Sequence, residues 1–320
     1  MSDMNNSMTQ TVPEGLIVLD KPKGMTSFDC VARIRRLFST KKVGHTGTLD
    51  PDATGVLPIL IGRAAKAAEL LTAEDKHYIA TLRLGLQTDT EDIGGTVLSR
   101  CDQIPGEEAV QAVLAQFRGD IMQVPPMYSA LKRDGQKLCD LARAGVTVER
   151  EARPITIHAL TARTVMGVPT DYILDVSCSK GTYIRTLCAD IGASLGCGGV
   201  MAELRRVASG NFTLDVAHTL QELEEMTEAE RFACLLPTEA LFSDCREIFL
   251  PAFYERLCDN GHEIYLSKLR KTPTPPYTEG EFLRIKGENK GFFALGRVQT
   301  FTLDGGETAL AVKPIKKFVL

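Results

Sequence analysis

The chain has 320 residues, 44% of them apolar, and 41 acidic residues against 37 basic ones give a net charge of -4. That apolar share suits a packed interior and excludes a disordered chain, and no apolar run is long enough to span a membrane. Slight acidity argues against a uniformly basic nucleic-acid binder, but a local basic face is still able to hold phosphates.

Residues 1–13 read as a flexible polar tail with no signal-peptide core. Residues 15–20 predict a short apolar strand, ending in the turn Lys21-Pro22-Lys23-Gly24. Thr26 or Ser27 would cap a helix reaching about Phe38, with Val31, Ile34 and Leu37 on one face. Residues 39–55 form a loop rich in Gly, Thr and Asp. A buried strand over 56–62 and a short helix over 63–71 follow, and 77–86 alternate as a strand should. Residues 106–118 predict an amphipathic helix through Val110, Val113, Leu114 and Phe117. Residues 136–144 predict a second short helix. Residues 153–165 and 170–178 predict paired strands, and 182–195 a helix after a glycine turn.

Strands and helices mix without a regular βαβ repeat, which predicts the α+β class with a mixed, mostly antiparallel sheet flanked by helices. The acidic helical stretch 220–241 and Pro251 mark a boundary. Beyond it, glycine-punctuated strands at 280–285, 291–298 and 308–312 predict a small β-rich module. The expected division is a tail over 1–13, a main domain over 14–245 and the small domain over 246–320. The proline-rich segment 272–277 is expected to be a loop, open to recognition as a polyproline segment. Nine cysteines fall at no paired or metal-ligand spacing, as expected of reduced thiols in a cytoplasm. Nothing advertises an oligomerisation seam, so a monomer is expected.

Within the loop, Gly44-His45-Thr46-Gly47-Thr48-Leu49-Asp50-Pro51 encloses one carboxylate between glycines and a proline. Two readings are open: an aspartate capping a turn, or a carboxylate held rigidly for chemistry. Lys21 and Lys23, beside Gly24, suit either phosphate contact or support of the sheet.

GHTGTLDPDATGVLP closely resembles the catalytic loop of the TruB family of pseudouridine synthases. Collinear segments agree: LDKPKGMTSFD at 19–29, LGLQTDTEDIGG at 84–95, QVPPMYSALKRDG at 123–135, LARAG at 141–145, CSKGTYIRTLCADIG at 178–192 and ELRRVASGNF at 203–212. Cys139 departs from the family, which usually carries tyrosine there, at a position read as structural. The region after about 245 resembles the PUA RNA-binding module in strand order and glycines.

The resemblance implies a pseudouridine-synthase catalytic domain followed by a PUA-like domain. It implies an isomerase that converts one uridine of the tRNA T-loop without a guide RNA, cofactor, metal or membrane. Asp50 matches the essential aspartate, Arg185 the arginine that holds it, and Tyr78 a catalytic aromatic that would stack on the base or assist its proton transfer. Tyr183 and Leu204 match further walls of the uracil pocket. His45 matches the residue that fills the space left by the flipped base. The alternatives are a tRNA-binding folding chaperone without catalysis, and a guide-dependent rRNA synthase.

Overall fold

The computed structural model describes residues 13–71, 75–269, 275–303 and 306–319. The expected tail, Pro13 apart, lies outside the described residues, as does the first half of the expected polyproline loop. In chain order the first unit comprises β1 (Gly15–Lys21), α1 (Ser27–Leu37), β2 (Val43–His45), β3 (Thr54–Ile61), α2 (Ala68–Leu71), β4 (Lys76–Leu84), β5 (Leu86–Thr88) and β6 (Val97–Arg100). It continues with α3 (Glu107–Leu114), β7 (Gly119–Gln123), β8 (Lys132–Arg133), β9 (Gln136–Lys137), α4 (Leu138–Arg143), β10 (Arg153–Val165) and β11 (Val168–Cys178). It closes with α5 (Ile184–Ser194), β12 (Gly199–Ser209), β13 (Phe212–Thr213), β14 (Ala217–His218), α6 (Leu220–Glu225) and α7 (Glu228–Ala233).

Ten of these strands form one sheet in the order β14-β1-β3-β12-β4-β11-β10-β7, with β2 on β3 and β13 on β12. Only β1 with β14 and β3 with β12 run parallel. The sheet is therefore mixed and mostly antiparallel, as the sequence predicts. The alternation in β4 turns Tyr78, Ala80, Leu82 and Leu84 to the core. The unbroken apolar runs of β1 and β3 have a different cause, because both of their faces are covered. Ile17, Leu19, Leu57 and Ile59 pack with α1 in one core, while Leu16, Val18, Val56 and Leu60 pack in a second.

The second unit holds β15 (Arg246–Leu250), α8 (Ala252–Asp259), β16 (Ile264–Tyr265), β17 (Phe282–Gly287), β18 (Gly291–Thr302) and β19 (Thr308–Lys317). Its strands form a separate sheet in the order β15-β17-β18-β19-β16 around a core of Ile248, Leu250, Leu283, Ile285, Phe293 and Val312. Phe318 and Leu295 of this unit complete the second core of the first. There Phe318 lies with its ring centroid 5.5 Å from Phe242 and 5.6 Å from Phe292.

Several elements depart from the sequence reading, and β7, β15 and α8 are among those that lie where none is predicted. The segment 39–55, expected to be loop throughout, pairs along its first part as β2 on β3. β12 lies in the middle of the sheet although no strand is predicted there. Register shifts between Met201 and Glu203 and between Arg206 and Ala208 break its alternation, and it buries an arginine. The acidic stretch 220–241 is not one helix, because Thr227 opens α7 with its own capping box to Glu230. Among the described residues no helix is long and apolar enough to cross a membrane.

Candidate active site

Asp50 sits in the connection between β2 and β3, and this connection is braced on both sides of the carboxylate. The buried hydroxyl of Ser27, at the start of α1, accepts from the Leu49 N–H at 2.9 Å and donates to the Leu49 carbonyl at 3.1 Å. Lys21 donates to the carbonyls of Pro22, Pro51 and Ala53 at 2.9, 2.9 and 2.7 Å. The Gly24 N–H donates to the Pro51 carbonyl as well, at 2.9 Å. Below the loop, buried Arg206 donates to Val56 O at 2.7 Å and Gly47 O at 3.3 Å. Gly55 has φ +104°, and a Cβ there would stand 2.1 Å from the Arg206 carbonyl oxygen. No other residue type allows β3 and β12 to approach so closely at this point.

Arg185, in the first turn of α5, meets the carboxylate. Its Nε lies 2.9 Å from Asp50 Oδ2 and its Nη2 lies 3.5 Å from Oδ1. The remaining guanidinium protons are aimed by backbone, Nη2 to Tyr128 O at 2.8 Å and Nη1 to Thr90 O at 3.2 Å. Asp92 Oδ2 stands 3.9 Å from Nη1. A buried cation requires such partners, and two carbonyls from separate loops leave this guanidinium one orientation. The Arg185 side chain is 8% exposed while that of Asp50 is 41% exposed. The acid is gripped from beneath and open above.

Two tyrosines lie within reach of the carboxylate's charge. Tyr78 on β4 is buried, and it shares one continuous core with Leu49 and Leu204. Burial pushes the Tyr78 phenol above its ordinary pKa, and the charge of Asp50 adds to that shift. Tyr183, which caps α5, is shifted upward for the same first reason and also feels Asp50. Its backbone is fixed to β7 by the buried side chain of Gln123, which accepts from Tyr183 N at 2.8 Å and donates to Tyr183 O at 3.1 Å. Both phenols therefore remain neutral, proton-bearing groups near a carboxylate.

His45 lies across the loop, at the end of β2. Burial, and then the charge of Arg206, lower its pKa, so its imidazole is neutral near neutral pH. Its Nδ1 is buried with no hydrogen-bond partner among the described residues. The ring sits edge-on to Phe28, with centroids 5.6 Å apart and planes at 83°.

The structure thus brings Asp50 and Arg185 into direct contact, sets Tyr78 and Tyr183 within reach of the carboxylate's charge, buries Leu204 in the core shared with Tyr78 and Leu49, and places His45 in the same loop as Asp50. The two lysines part company. Lys23 is exposed. Lys21 is fully buried with three carbonyl acceptors, so it has no donor to offer a phosphate, and of the two readings only support of the sheet and loop suits its position. Sequence reasoning passed over Asp92 and Arg206 and read Ser27 only as a candidate helix cap, a role that Thr26 takes. Each lies inside a quoted motif, but a buried serine or arginine gives no periodic signal. Their signal was the motif itself, which carries more polar residues than a turn needs.

A family profile described as "TruB family pseudouridylate synthase (N terminal domain)" matches residues 35–184, and one described as "tRNA pseudouridylate synthase B C-terminal domain" matches 185–243. The tRNA pseudouridine synthase B of Burkholderia mallei (strain NCTC 10247) is 48% identical over 278 residues, 87% of this chain and 91% of that protein. That of Aromatoleum aromaticum is 43% identical over 286 residues, 89% of each. Among solved structures, a chain of a Cbf5-Nop10-Gar1 complex superposes with a TM-score of 0.72 at 25% identity, covering 96% of this chain and 86% of that one.

Proposed function

Because this chain belongs to the TruB family of pseudouridylate synthases, we propose that it isomerises a uridine of the tRNA T-loop to pseudouridine, with Asp50 as the catalytic carboxylate. The tRNA reading is supported by relatives at 43–48% identity that carry the name tRNA pseudouridine synthase B. The chain of a Cbf5-Nop10-Gar1 complex, at 25% identity, is the weaker likeness and supports the fold rather than the substrate.

One observation carries the assignment of the site: an acid with 41% of its side chain exposed, ion-paired at 2.9 Å to a guanidinium that is itself 8% exposed. In the reaction the bond from uracil N1 to the sugar C1′ breaks and a bond from C5 to C1′ forms. The proton leaves C5, and N1 ends protonated. A fixed carboxylate stabilises positive charge at C1′ or attacks there, and it accepts the proton from C5. Arg185 orients the carboxylate throughout. Tyr78 and Leu204 would wall the everted base, Tyr183 would close its other side, and neutral His45 would stack in the space it leaves. Lys23 remains a candidate phosphate contact.

Residues 246–320 are assigned to RNA binding as a PUA-like domain. The support is a separate five-stranded sheet with basic side chains, Lys313, Lys316 and Lys317, on its last strand. The whole chain acts as a guide-independent monomer. A cytoplasmic location is supported by nine free cysteines.

The test is incubation of the purified protein with an unmodified tRNA transcript, followed by pseudouridine mapping. One T-loop uridine should convert, and Asp50→Asn should lower the single-turnover rate by about a thousand-fold or more while remaining folded. No T-loop product from the unaltered protein, or full activity in Asp50→Asn, overturns the reading.

A further inference from the structure

Phe28, in the first turn of α1, is 70% exposed. The inward face of α1 is Ser27, Cys30, Val31 and Ile34, and Phe28 lies off that face. Its place is firmly held all the same. Thr26 accepts from Asp29 N at 3.0 Å, and Asp29 accepts from Thr26 N at 2.9 Å, so the turn is closed by a capping box. Ser27, the preceding residue, grips Leu49, which adjoins Asp50. On its other side the Phe28 ring rests against His45 of the same loop. A large apolar ring is thus presented to solvent beside the loop that carries the carboxylate, tied to it on two sides.

Such exposure costs apolar hydration unless something covers the ring when the protein works. The neighbouring imidazole is neutral, so the two rings form an uncharged aromatic corner rather than a cationic one. Exposed Lys23 on the adjoining turn supplies positive charge nearby. A flat uncharged ring beside a cation suits a nucleobase and its phosphate, because stacking on an aromatic side chain tolerates any base.

We propose that Phe28 is a positioning residue for RNA: it stacks on an unpaired base next to the everted uridine and, with His45, holds the opened strand over Asp50. This rests on the RNA-isomerase reading above. Phe28 touches no reacting atom, so its effect belongs in binding and not in the chemical step.

The chain contains no tryptophan, so Phe28→Trp introduces a single indole whose emission reports the site directly. Titration of that variant with unmodified tRNA should quench the emission, and Phe28→Trp should keep a KM near that of the unaltered enzyme. Phe28→Ala and Phe28→Leu should raise KM by about ten-fold, leaving the single-turnover rate at saturating tRNA within about two-fold. Unchanged indole emission at saturating tRNA overturns the proposal, as does a Phe28→Leu variant that binds as well as Phe28→Trp. A Phe28→Ala variant with normal KM but a lowered thermal midpoint also overturns it, since the ring would then be covered by the protein's own chain. If the unaltered protein modifies no tRNA, the function reading fails with it; if only the Phe28 variants behave as wild type, this inference fails alone.

Discussion

Lys21 spends its ammonium protons on three carbonyls, two of which belong to the residues just after Asp50. Burial lowers its pKa, and the charges of Asp52 and Asp50 help to offset that effect. A buried ammonium of this kind is costly to desolvate and costlier to remove, because its acceptors are then left bare. Lys21→Met should therefore lose about 3 kcal/mol or more of stability, read as a lower midpoint in chemical denaturation. The variant that folds should also convert tRNA more slowly, because Pro51 and Ala53 no longer hold the carboxylate in place. Unchanged stability would show that the three contacts are incidental to the fold.

At the scale of elements, the turn after β5 and helix α5 act as a unit. Thr90 O accepts from Arg185, and Thr186 Oγ1 donates to Glu91 Oε2 at 2.5 Å. Glu91 adopts φ +63°, a left-handed conformation that costs energy in a residue other than glycine. Asp190, further along α5, is raised from the usual 3.8 to about 6, first by burial and then by the charge of Glu91. The folded state therefore binds this proton more tightly than the unfolded chain does. The stabilisation is complete below the unfolded value of 3.8 and is lost as the pH rises through about 6. Asp190→Asn removes the penalty of a buried charge, so its thermal midpoint should exceed that of the unaltered protein at about pH 8, and the gain should vanish near pH 4. A difference that does not vary with pH would show that the side chain is not titrating in this range.

Over the whole molecule, the two sheets share a core. Phe318, 1% exposed, packs with Phe242 and Phe292 in the cluster that also holds Leu16, Val18 and Leu60. Arg63 and Lys66 of the first unit donate to the carbonyls of Phe318 and Lys317 at 3.5 and 3.1 Å. The C-terminal unit is thereby seated on the back of the strands that carry the Asp50 loop. Phe318→Ala should cost about 3–5 kcal/mol at that junction. Calorimetry should then show the C-terminal unit melting ahead of the rest. A single transition at the original temperature would mean that the units are held by other contacts.

Amino-acid order alone determined what depends on near neighbours. Alternation exposed β4, helical spacing exposed α1, and the glycine-rich string around Asp50 singled out the loop and, through its resemblance, the family. What the order left open was which distant residues meet. The arginine that pairs with Asp50 is 135 positions away, and its partners come from two further loops. The central strand β12 went unread because its bulges and buried Arg206 erase the period that marks a strand. Lys21, legible as a cation, became a clamp only once the segment after Asp50 had folded against it. Periodicity is a local property of the chain, whereas the partner of a buried charge is chosen by packing, and that choice exists only in the folded molecule.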